Sequence, residues 1–163
     1  MFLSPRGWAT LAWQSDYSQI YLIDCGDETF EAPVEITAEI EKQSYATMPT
    51  GVVIYTQDSL NQHIHVAIYD IEPEHLSMGP ISGKSWTKTE IVDVRFPSKR
   101  FAVSSPSAPD PLPSGPFFLV DSTDCTLRID WMENQEVRDF SGPTDPDVIH
   151  LTLWPRIFRK EAE

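Results

Sequence analysis

Apolar residues in this chain recur at every second position over several stretches, and that period commits most of the chain to half-buried β-strands. Ile64, Val66 and Ile68 share one face of a segment running from His63 to Glu72, while His63, His65, Ala67 and Tyr69 take the other. The same spacing sets Val92, Val94 and Phe96 on one face of Thr89 to Phe96, and Ile149, Leu151 and Leu153 on one face of Val148 to Trp154. In Cys125 to Trp131, residues Cys125, Leu127, Ile129 and Trp131 point inward and Thr126, Arg128 and Asp130 outward. Shorter strands are expected at Trp8 to Trp13, Tyr17 to Asp24, Val52 to Tyr55, Arg100 to Ser104 and Phe117 to Ser122. The last of these reads as a hairpin with the Cys125 strand through a turn at Asp121, Ser122, Thr123 and Asp124.

One stretch breaks the pattern. Pro33 suits a first helical turn, Glu35 complements the helix dipole, and Ile36 and Ile40 lie one turn apart, so a helix is expected from Pro33 to about Ala46. One helix among eight or nine strands is too few for a parallel α/β arrangement. The fold class expected is a mainly β, antiparallel β-sandwich with one short helix inserted after the second strand. Residues 104–116 hold Pro106, Pro109, Pro111, Pro113 and Pro116, which remove backbone donors and make this stretch a loop. The 163 residues are enough for a single sandwich domain, 1–163, with that Pro-rich loop as an excursion.

With 25 acidic residues against 12 basic ones the net charge is −13. That balance disfavours nucleic acid and anionic membrane as partners and favours a basic protein. Hydrophobic residues at 40% and aromatics at 11% are enough to fold the chain in spite of the charge. Met1-Phe2-Leu3 runs at once into Ser4-Pro5-Arg6-Gly7, so no apolar leader forms, and a cytoplasmic location with reduced thiols is expected. Cys25 and Cys125 then read as packed hydrophobes, although their count alone also allows one disulfide.

Chemistry is sparsely signalled. No Gly-x-Ser-x-Gly elbow, P-loop or Gly-x-Gly-x-x-Gly occurs among the 7 glycines, so neither a nucleophile nor a nucleotide site is expected, and no cofactor is implied. His63 and His65 project to one face of a strand, as a metal pair would, with Asp70 or His75 as further ligands; this is the alternative reading, a small metal-binding β-barrel enzyme. A scaffold or adaptor role for the Pro-rich loop is the other alternative, but basic flanks are missing. The acids Asp121, Asp124, Asp130, Glu133, Glu136 and Asp139 gather in one stretch, and as an exposed patch they would pair with Lys or Arg of a basic partner.

The order of segments carries a resemblance. Tyr17-Ser18-Gln19-Ile20-Tyr21-Leu22-Ile23, then Glu39-Ile40-Glu41-Lys42 running into Tyr45-Ala46, then Gly51-Val52-Val53-Ile54-Tyr55, followed by the strands near Ile91, Ser98 and Phe117, resembles the competence protein J family, inhibitors of a bacterial DNA-entry nuclease. The Pro-rich insertion and the strand from Val148 to Trp154 depart from that pattern. The resemblance implies a β-sandwich that binds a nuclease, blocks its basic DNA-binding surface and performs no chemistry itself.

Overall fold

The computed structural model describes residues 4–14, 17–57, 61–74, 85–107, 116–133 and 146–156. Its strands are β1 (Gly7–Gln14), β2 (Gln19–Asp24), β3 (Tyr45–Met48), β4 (Gly51–Tyr55), β5 (Asn61–Ile68), β6 (Lys88–Arg95), β7 (Arg100–Ser104), β8 (Phe117–Leu119), β9 (Asp124–Met132) and β10 (Asp147–Pro155), with one helix, α1 (Ala38–Gln43). Two five-stranded sheets result, ordered β1-β5-β10-β9-β6 and β3-β4-β2-β7-β8. All pairings are antiparallel except that of β10 with β5. The mainly β sandwich expected from the apolar alternation is the fold observed.

The residues placed inward by the alternation meet in one layer between the sheets. Ile64, Val66, Val92, Val94, Leu127, Ile129, Ile149 and Leu151 from the first sheet pack with Ile20, Leu22, Val52, Ile54, Phe101 and Val103 from the second. Phe96, Phe101 and Phe118 stack in series, with centroids 4.7 and 5.1 Å apart. Trp131 spans the layer: its ring is buried, and its indole N–H donates to the Tyr55 carbonyl at 3.0 Å. Burying each large apolar side chain is worth about 1.5–3 kcal/mol, so these rings and the aliphatic residues around them together hold the layer.

Three sequence expectations are corrected. The helix is only six residues long. The side chain of Thr37 caps it by accepting from the Ile40 N–H at 3.2 Å, which leaves Pro33 to Ile36 outside it, and Ser44 ends it in the left-handed region at φ 61°. Past Ser44 the chain enters β3, a strand not anticipated, because Tyr45 to Met48 complete the edge of the second sheet against β4. The proposed hairpin of Phe117 to Ser122 with Cys125 to Trp131 does not form, since β8 pairs with β7 in one sheet and β9 with β6 and β10 in the other. The turn between them is a crossover, hydrogen-bonded to the parallel crossing at Pro97 to Lys99. Val120 donates to the Lys99 carbonyl at 3.0 Å, and Phe96 donates to the Thr123 carbonyl at 2.8 Å.

The buried Asp24 carboxylate ties the crossing at Pro97 to Lys99 to β2. It accepts from the Gly26 N–H at 2.8 Å and from both the N–H and the hydroxyl of Ser98 at 2.8 and 2.9 Å. A buried carboxylate is tolerated where it is satisfied in this way. At the start of β4 the two backbones approach so closely that a Cβ on Gly51 would lie 2.1 Å from the Leu22 carbonyl oxygen. Gly51→Ala must therefore force β4 away from β2. We expect a lower urea midpoint and a loss of about 2 kcal/mol or more, whereas an unchanged midpoint would contradict this close pairing.

Candidate functional site

The register of the first sheet lines up a row of polar side chains on its outer face. Thr10 of β1 opposes His65 of β5, His65 opposes His150 of β10, His150 opposes Asp130 of β9, and Asp130 opposes Thr89 of β6. These residue types are the ones that carry acid-base chemistry. His65 Nδ1 and the Thr10 hydroxyl are 2.7 Å apart, and the His65 and His150 rings meet edge to face with centroids 6.2 Å apart. Trp86 stacks on His150 from above at 5.8 Å.

The row is not wired as a catalytic relay. Asp130 spends its oxygens on the Arg128 guanidinium, at 3.0 Å, and on the Thr89 hydroxyl, at 2.6 Å. His150 is 1% exposed, and neither ring nitrogen has a hydrogen-bond partner; the buried hydroxyl of Thr152 also lacks one. Burial pushes the His150 imidazole down to about 4, and His65 and Arg128 act in the same direction while Asp130 opposes them. Burial and the neighbouring His63 lower His65 as well. Both rings are neutral at pH 7. His63 and His65 do share a face, but no group of three or more His, Cys, Asp or Glu side chains suited to a metal ion occurs among the described residues. Asp70, one of the further ligands considered for the pair, instead lies 3.8 Å from Arg6, and His75 falls outside the described residues.

Cys25 and Cys125 are buried free thiols. Burial raises both, Cys125 to about 11, so neither is a thiolate nucleophile at neutral pH.

The acidic residues expected to form one exposed patch have separate fates. Asp121 pairs with Arg6, and Asp124 lies 4.0 Å from Arg95. Asp130 is a correction: its side chain is wholly buried at the centre of the sheet's outer face, bonded to Arg128 and Thr89, and it cannot contact a partner. Glu133 accepts the Gln57 N–H at 2.8 Å and lines an open cleft of about 750 Å³ together with Ile36, Glu41 and Tyr55. Glu136 and Asp139 lie outside the described residues.

The outer face of the second sheet is covered, as the apolar residues on both faces of Tyr17 to Asp24 imply. Its residues Tyr21, Ile23 and Val53 are covered by Phe30, Ala32 and Ile40 from the segment between β2 and β3, with Tyr21 and Phe30 rings 5.5 Å apart. That segment leaves Val34 fully exposed and Ile36 58% exposed. A groove of about 700 Å³ opens beside Val34, lined also by Phe30, Met48, Pro49, Asp27 and Glu31. Asp27 is fixed by the Thr50 hydroxyl and by Thr29, and these hydrogen bonds hold its carboxyl below the usual range. The sequence signal was available in the run Glu31-Ala32-Pro33-Val34-Glu35-Ile36, where apolar residues alternate with acids outside any strand.

No family model and no curated protein sequence matches the chain. Solved structures do. ComJ of Bacillus subtilis, an inhibitor of the DNA-degrading activity of NucA, superposes with a TM-score of 0.63 over 96% of this chain and 100% of that one, at 12% identity. The chain has the ComJ fold. A second structure, the product of crocagin biosynthetic gene J, aligns over 93% of this chain and 98% of its own with a TM-score of 0.56, also at 12% identity. At such identity what is shown to be shared with ComJ is the layout of strands.

One of those faces has a measurable pH signature. Because His150 binds its proton less readily when folded than when unfolded, stability is complete above pH 6.5 and is lost as pH falls from 6.5 towards 4. The loss attributable to His150 is on the order of 3 kcal/mol. His150→Leu leaves no hydrogen-bond partner orphaned, so the variant should lose less stability than wild type between pH 7 and pH 4.5 in urea titrations. Equal losses in the two proteins would refute the buried, neutral state of the ring.

Proposed function

We propose that this chain is a non-catalytic binding protein that inhibits a nuclease in the cytoplasm by occupying the enzyme's basic, DNA-binding surface. The observation that carries the reading is the end-to-end superposition on ComJ, which inhibits a DNA-degrading enzyme. The net charge of −13 supports it: a nuclease surface built to attract phosphates attracts a carboxylate-rich protein by the same field. The thiols and the histidine row also fit a protein that binds, since the thiols are held protonated and the imidazoles neutral without a wired base.

Inhibition of this kind needs no chemistry. It requires only that the complex be stable enough to exclude DNA, with charge speeding encounter and packed apolar contacts slowing release. The direct test is DNA cleavage by the nucleases encoded nearest to this chain in its source genome, with and without purified protein. We expect inhibition by a stoichiometric amount, weakened about tenfold or more when salt rises from about 0.05 to about 0.5 M. Full cleavage by every such nuclease at excess protein would overturn the reading.

A further inference from the structure

Negative charge is distributed unevenly over the two faces of the sandwich. On the first sheet and its turns, acids meet cations of the same chain: Asp70 and Asp121 meet Arg6, Glu90 meets Lys88, Asp93 meets Arg156, Asp124 meets Arg95, and Asp130 meets Arg128. Between β2 and β3 the situation is the reverse. Glu28, Glu31, Glu35, Glu39 and Glu41 are all exposed, and among the described residues none forms an ion pair. Lys42 is the single basic residue from 24 to 43 and, among the described residues, pairs with none of these glutamates; Lys88 reaches only the end of the segment, donating to the Lys42 carbonyl at 2.6 Å. Among the described residues, unneutralised exposed charge is therefore concentrated on the segment that covers the second sheet, with Glu72 and Glu74 past β5 as the exceptions.

The same segment carries the apolar side chains that packing left out. Val34 is 100% exposed and lines the groove of about 700 Å³; Ile36 is 58% exposed and lines the cleft of about 750 Å³ on the other side. Two β-branched side chains, stiff at χ1, thus project between two recesses, with glutamates interleaved at 31, 35 and 39. Apolar anchors within a charged rim are the arrangement that gives protein interfaces both affinity and selectivity.

We propose that this ridge, Val34 and Ile36 with the groove beside Phe30 and Met48, is the docking surface for the partner, and that the partner presents apolar side chains flanked by lysine or arginine. The occupant is identified by charge complementarity: five unpaired carboxylates around an apolar anchor exclude an acidic or nucleic-acid ligand and select a basic protein face. The proposal rests on the inhibitor reading for the partner's identity, and it places that contact on the second sheet instead of on the stretch from Asp121 to Asp139.

Two measurements separate the surface from the function. In the first, the ¹⁵N-labelled protein is titrated at low salt with an acetylated Lys-Lys-Leu-Leu-Lys-Lys peptide, and with a control peptide carrying Ser in place of Leu. Chemical-shift changes should cluster at residues 28–41 and 48–50, and should weaken about tenfold or more with the Ser peptide or in the Val34→Ser, Ile36→Ser double variant. Changes centred on β5, β9 or β10, or no binding, would overturn the surface. In the second, Glu31→Lys with Glu35→Lys should lower nuclease inhibition about tenfold or more while Asp121→Lys leaves it unchanged. Equal inhibition by all variants would overturn the surface and leave the inhibitor reading standing. Absence of inhibition by wild type would remove the inhibitor reading, and the peptide titration would still decide the surface.

Discussion

Everything in this molecule depends on one apolar layer being shared by two sheets. Each strand offers its alternate residues to that layer, so the other half of every strand faces outward whatever its chemistry. The chain passes from one sheet to the other four times to keep the layer filled, and the crossings at Pro97 to Lys99 and Val120 to Thr123 are bound to each other, the first also to the buried Asp24. The stacked rings of Phe96, Phe101 and Phe118 sit beside those crossings. With the interior committed to packing, function is left to the outer faces.

Those faces have diverged in chemistry. The first sheet carries a polar row whose centre is buried, with His150 neutral and Asp130 bonded to Arg128 and Thr89. Its acids are largely neutralised by neighbouring cations. The second sheet is covered by a segment that packs Phe30, Ala32 and Ile40 inward and leaves glutamates, Val34 and Ile36 outward. The sandwich thus presents one charged, apolar-tipped face, the surface proposed above for a basic protein partner.

The alternation made most of this fold legible in the sequence. Ile64, Val66 and Ile68, or Ile149, Leu151 and Leu153, name their own face, and the cores they predict are the cores observed. What alternation cannot convey is which strands are neighbours. Phe117 to Leu119 and Cys125 to Trp131 are adjacent in sequence and share a turn-like link, yet both must face the same layer, and that was achieved by placing them on opposite sheets. Nor does alternation tell a solvated face from a covered one, which is why Asp130 read as a surface acid. The helix was overextended because Pro33, Glu35 and Ile36 have helical spacing, whereas the cap at Thr37 and the pairing of Tyr45 to Met48 with β4 decide its limits. The family resemblance in segment order was sound for the fold, as the ComJ superposition shows.

On the proposal above, the partner sits on the second sheet's cover. Amide hydrogen exchange, comparing the free chain with its complex with the inhibited nuclease, tests this most directly. Slowed exchange is expected to be confined to residues 28–41 and 48–50, with β5, β9 and β10 exchanging as in the free chain. Protection concentrated on β5, β9 and β10, with residues 28–41 unchanged, would contradict it.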